Sequence, residues 1–118
     1  MKIDAKCEPF IPKMRLFHDA ESCKAWCKRK FGGFPELADS DAQTFRIGYV
    51  SVILMEHRGD GGPWENALLV HEAYHVVCQN LEAMMEESPG DEVFAYMLQE
   101  VSGLLMQAHA EWRSRHVG

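Results

Sequence analysis

The segment from Trp64 to about Leu81 constrains the fold more than any other part of the chain. Ala67, Leu68, Leu69, Val70, Ala73, Tyr74, Val76, Val77 and Cys78 leave almost no polar face, so a helix here must be enclosed by other elements on most sides. Pro63 suits the first helical turn, after the breaker cluster Gly59-Asp60-Gly61-Gly62. Three polar residues, His71, Glu72 and His75, stand inside this apolar cylinder. Polar groups in such a setting need partners, and that need points to chemistry.

His71-Glu72-Ala73-Tyr74-His75 has the spacing HExxH. Four helical residues rise about 6 Å and turn slightly past one circle, so both imidazoles project from one face toward a shared point. Each imidazole can then ligate a zinc ion at roughly 2.0–2.1 Å, which makes Zn2+ the expected cofactor and leaves other coordination positions open. Glu72, one step round from His71, can stand beside the metal as general base without ligating it. With six histidines in 118 residues, a shuffled chain would show the motif about 3% of the time. Its place in the middle of an apolar, proline-free helix preceded by strand material makes chance a poor explanation.

A catalytic zinc takes three protein ligands. Glu92 is the expected third, because it opens the helix after the motif helix and an antiparallel helical hairpin would return it to the metal; Asp91 and Glu87 are the alternatives. Tyr96, one turn beyond Glu92, is a candidate oxyanion donor. Glu100, a further turn on, is a candidate to orient a ligating histidine.

The remaining elements follow from local signals. Lys13 to His18 reads as a short strand, and Asp19 as the N-cap of a helix to about Lys30 that Gly32-Gly33 terminates. That helix is expected to turn Ala25, Trp26 and, with them, Cys23 and Cys27 inward. Thr44–Ile47 and Tyr49–Met55 are the best strand material, forming a hairpin or bent strand that pivots near Gly48. Ser88, Pro89 and Asp91 form a capping-box start for a last helix running to Trp112. The fold class expected is α+β, in one domain spanning 1–118, with a small, mostly antiparallel sheet packed on the motif helix and the helix after it.

The net charge of −6 and pI near 5.4 argue against nucleic acid as a partner, since such binding depends on Lys and Arg neutralising phosphates. The basic run of Lys24, Lys28, Arg29 and Lys30 reads as a solvated helix face. No segment has the apolar length of a membrane helix and the N-terminus has no apolar leader, so no membrane association and a cytoplasmic location are expected. In a reducing compartment Cys7, Cys23, Cys27 and Cys78 stay free thiols, and Cys23, Cys27 and His18 lack the second pair that a CxxxC metal site would need. His57, His109 and His116 have no partner that sequence can name, and the methionines Met84, Met85, Met97 and Met106 read as packing.

Strand, loop, HExxH helix and the helix bearing Gly90-Asp91-Glu92-Val93-Phe94-Ala95-Tyr96 together resemble the zincin metallopeptidases. Over roughly Thr44 to Gln107 the chain is similar to small gluzincin-type domains of the kind encoded by phages and prophages. The resemblance implies a minimal zincin-like domain, zinc held by His71, His75 and Glu92, and hydrolysis of a peptide or protein substrate by a zinc-bound water that Glu72 activates. It also implies that a strand, here expected to be Val50–Met55, holds an extended peptide by edge pairing. The alternative is a non-catalytic binding protein that keeps the zincin fold, as a phage assembly factor or an inhibitor of a host system. The substrate and the oligomeric state are not legible.

Overall fold

The computed structural model describes residues 2–4, 13–56, 62–83 and 90–116. Strand β1 (Lys2–Asp4) and strand β2 (Lys13–Phe17) are followed by helix α1 (Ala20–Phe31), strands β3 (Ala42–Ile47) and β4 (Val50–Met55), and helices α2 (Pro63–Ala83) and α3 (Asp91–His116). The fold is α+β, with the strands in the order β1-β2-β4-β3 in one mixed sheet. β1 with β2 and β3 with β4 are antiparallel, while β2 and β4 are parallel. The parallel pair arises because the chain leaves β2 through α1, forms β3 at the far edge, and returns by a hairpin so that β4 fills the gap. No helix among the described residues is long and apolar enough to cross a membrane.

Side-chain alternation divides the molecule into layers. Met14, Leu16, Ile53 and Met55 face α2 and α3 and join Leu69, Ala73, Val76, Val77, Val101 and Leu105 in one core. Val50, Val52 and Leu54 face the other way, onto Cys23, Trp26 and Cys27 of α1. All six residues of β4 are buried, the pattern of a strand covered on both faces. β4 is therefore an interior strand with both edges paired. This corrects the expectation that Val50–Met55 offers an edge to a peptide: the outer strand on that side is β3.

The caps of α1 are those the sequence indicates. The Ser22 amide donates to Asp19 Oδ1 at 2.7 Å, and Gly32, at φ 81°, returns its amide to the Lys28 carbonyl. Ala25, expected inside, is exposed, since the buried stripe of this helix is Cys23, Trp26 and Cys27. The pivot at Gly48 is a two-residue connection between paired Ile47 and Val50. Gly48 has φ +59°, and a Cβ there would come within 2.6 Å of the Phe31 ring, so both backbone conformation and packing call for glycine. α3 starts at Asp91, with the Phe94 amide bonded to the Gly90 carbonyl. The proposed cap residues Ser88 and Pro89 lie outside the described residues, as do Gly59–Gly61, His57, Cys7, Glu87, Met84 and Met85. Met97 is buried and Met106 packs on the same core.

Burial of the two cysteines has a measurable consequence. Removal from water, then the neighbouring Cys27, pushes the Cys23 thiol up to about 12, and burial also raises Cys27. A folded-state value above the unfolded one, 9.0, stabilises the fold fully below about pH 9, and the contribution is lost as pH rises toward 12. Urea midpoints measured between pH 8 and 11 are therefore expected to fall more steeply for wild type than for Cys23→Ala. Parallel curves would show that this thiol does not govern the alkaline limb.

Candidate metal centre

Helix α2 is less enclosed than its sequence suggests. Its buried stripe is Glu65, Leu69, Glu72, Ala73, Val76, Val77, Asn80 and Leu81, while Trp64, Ala67, His71 and Tyr74 form an exposed stripe. The motif lies at the boundary between the two. The rotation of α2 against the sheet is fixed by Asn80, whose Nδ2 donates to Ser51 Oγ at 2.6 Å and to the Val76 carbonyl at 2.7 Å. Asn80 Oδ1 in turn accepts from Arg46 Nε at 3.4 Å. A buried amide with donors and acceptor engaged specifies one docking angle, because any rotation leaves polar groups unpaired.

That docking sets the motif's geometry. His71 Nε2 and His75 Nε2 are 3.2 Å apart. Two ligands at about 2.05 Å on a tetrahedral ion stand roughly 3.3 Å from one another, so the pair has the separation of two vertices of a zinc tetrahedron. Glu72 is 2% exposed; Thr44 Oγ1 donates to its Oε1 at 2.8 Å, and its Oε2 lies 4.0 Å from His71 Nε2. One oxygen is thus anchored to β3 and the other faces the imidazoles. Gln79 Nε2 donates to the Thr44 carbonyl at 3.3 Å, tying the same strand residue to α2 a second time. Sequence reasoning named neither Thr44 nor Asn80 as a site residue, because their roles depend on contacts 28 and 29 positions away.

The helical hairpin is present, with α3 packed along α2, and the Tyr74 and Phe94 rings, 5.8 Å apart, press the first turn of α3 against the motif. Glu92 stands in that turn, exposed. Among the described residues no three His, Cys, Asp or Glu side chains are gathered as a metal-holding group, so Glu92 is not drawn up to the imidazole pair. Tyr96 is 64% exposed, not a core aromatic, and Glu100 is half-buried. Trp64, Tyr74, Val93 and Tyr96 are the large exposed hydrophobic residues of these two helices.

Sequence reasoning also missed a second polar cluster. His109, without a nameable partner in the sequence, is buried on α3 and bonded through Nε2 to the buried Glu65 carboxylate of α2. Its Nδ1 is 3.0 Å from His18 Nε2, and the His18 ring stacks on Trp112 at 3.9 Å. His18 is therefore committed to α3 and not to Cys23 and Cys27. His116 Nδ1 contacts the Trp112 carbonyl at 2.8 Å.

Comparison with known proteins finds no matching family model, no matching curated protein and no matching solved structure.

Proposed function

We propose that the protein is a zinc-dependent peptidase of the minimal zincin type. The observation that carries the reading is the convergence of His71 Nε2 and His75 Nε2 to 3.2 Å beside a buried carboxylate that faces them. The donor chemistry fits zinc: two imidazole nitrogens, with a third, anionic ligand required. Glu92 supplies it in this proposal. Its side chain is exposed on the turn that Phe94 presses against the motif, so rotamer freedom remains for it to turn toward the pair.

A zinc ion held by His71 and His75 would supply Lewis-acid polarisation of a scissile carbonyl and a more acidic water. Glu72 accepts the proton of that water and delivers it to the leaving amine. Its burial and the Thr44 hydroxyl hold the carboxylate where this transfer needs it; Tyr96 is the proposed donor to the oxyanion. An extended peptide lies along β3, the outer strand.

The full chain should bind one zinc ion, read by elemental analysis after dialysis against buffered metal. His75→Ala is expected to abolish that stoichiometric binding, and Glu92→Gln, which removes the anionic ligand, to weaken it by at least about 10–100-fold, the loss that even an outer-shell partner gives. Zinc retained in full by His75→Ala would overturn the assignment of the centre. Unchanged affinity in Glu92→Gln would transfer the third position to Asp91 or Glu87.

A further inference from the structure

The face of the sheet opposite the histidines carries a feature that the acidic composition hides. On that face α1 packs over Val50, Val52 and Leu54 of β4, while β1 and β2 carry basic side chains. Lys2 pairs with Arg15 across the two strands, and Lys13 lies two residues from Arg15, so alternation puts all three on the α1 side. Lys30, in the last turn of α1, joins them. These four cations line one cavity of about 100 Å³ together with Trp26 and Tyr49.

Two of the cations lie over aromatic faces. The Arg15 guanidinium lies 5.2 Å from the Trp26 ring centroid, and Lys13 Nζ 5.6 Å from that of Tyr49. No carboxylate with a described side chain pairs with any of the four; Asp4 stands opposite Lys13 in the β1–β2 register. The indole N–H of Trp26 is buried without an acceptor, in a residue only 5% exposed. Four cationic side chains lining one cavity give it the field of an anion site.

Size and field define the ligand. A water needs only about 10–15 Å³ of cavity space, so the cavity of about 100 Å³ holds a compact oxyanion with room for bound water. Four positive charges suit a dianion, which a phosphate group is at neutral pH. The whole molecule, at −6, repels an extended polyanion at long range. Within a Debye length of roughly 8 Å the local cluster prevails.

We propose that the cavity formed by Lys2, Lys13, Arg15, Lys30 and Trp26 binds a single phosphate group, free or as a small phosphate monoester. The proposal does not rest on the peptidase reading, since the pocket lies on the other face of the sheet from His71 and His75.

Isothermal titration of the full chain with inorganic phosphate, and separately with O-phosphoserine, tests it. Saturable one-to-one binding is expected, weakened at least tenfold in Arg15→Gln/Lys30→Gln. Lys28→Gln/Arg29→Gln, an equal charge change outside the cavity lining, should bind within twofold of wild type. Tighter binding of the monoester than of phosphate identifies an esterified ligand, and the reverse a free one. Should the double variant fail to fold by circular dichroism, Lys30→Gln alone, at an exposed position, is expected to lose at least threefold. No heat at 10 mM of either probe, equal losses in both charge pairs, or preference for a single-stranded oligonucleotide over phosphate would overturn the proposal.

Discussion

Glu72→Gln is expected to leave zinc binding intact and to lower peptide hydrolysis by roughly 10²–10⁴-fold, the usual worth of a positioned general base. The substitution is nearly isosteric. A glutamine Oε1 can still accept from Thr44 Oγ1, now at 2.8 Å from the carboxylate, so the helix keeps its docking while the proton acceptor is lost. Both imidazoles are untouched. The experiment compares zinc-loaded wild type and variant against a broad peptide library, with metal content measured on the same samples. Hydrolysis by wild type alone supports the peptidase. Two proteins that are equally inert would shift the balance to the binding reading, in which the fold and even the metal persist without turnover.

The second large effect concerns stability. His109→Ala is expected to cost roughly 1–3 kcal/mol, because it removes a buried hydrogen-bond partner of the Glu65 carboxylate. Both residues are buried, at 4% and 3% exposed, so solvent does little to compensate. The same change unstacks the end of the cluster, where His18 bonds to His109 Nδ1 and lies flat on Trp112. For a domain of this size the loss corresponds to a fall in Tm on the order of 5–15 °C. Glu65→Gln, which keeps an acceptor for the imidazole, should cost much less. Similar melting temperatures for His109→Ala and wild type would show that the contact between α2 and α3 is not held by this pair.

Local chemistry made several elements legible before any contact was known. Asp19 caps α1 because its side chain reaches an amide three residues on, and Gly32 and Gly48 take positive φ at the two places where the chain must stop or reverse. The α2 helix and the hairpin with α3 were legible from apolar periodicity. The same periodicity misjudged which side of α2 is open, since it counts hydrophobic residues and does not see that Trp64, Ala67 and Tyr74 face solvent beside His71. Ala25 was misplaced for a similar reason: alanine satisfies either face of a helix.

Strand order was beyond local reading. Val50–Met55 looks like a strand in any arrangement, but only its insertion between β2 and β3 makes it interior, and so makes β3 the edge beside the motif. The basic cavity was hidden in the same way. Lys2, Lys13, Arg15 and Lys30 are scattered through an acidic chain, and pairing of β1 with β2 beneath the end of α1 is what gathers them.

The sequence alone determined that His71 and His75 share a helical face with Glu72 between them, because a spacing of four is one turn of helix. The tertiary structure decided what that face meets. Asn80 and Ser51 set the rotation of α2, Thr44 anchors the Glu72 carboxylate, and Glu65 finds His109. Each of these contacts joins residues at least 28 positions apart, and such pairings are fixed by the packing of whole layers, not by the preferences of any one segment.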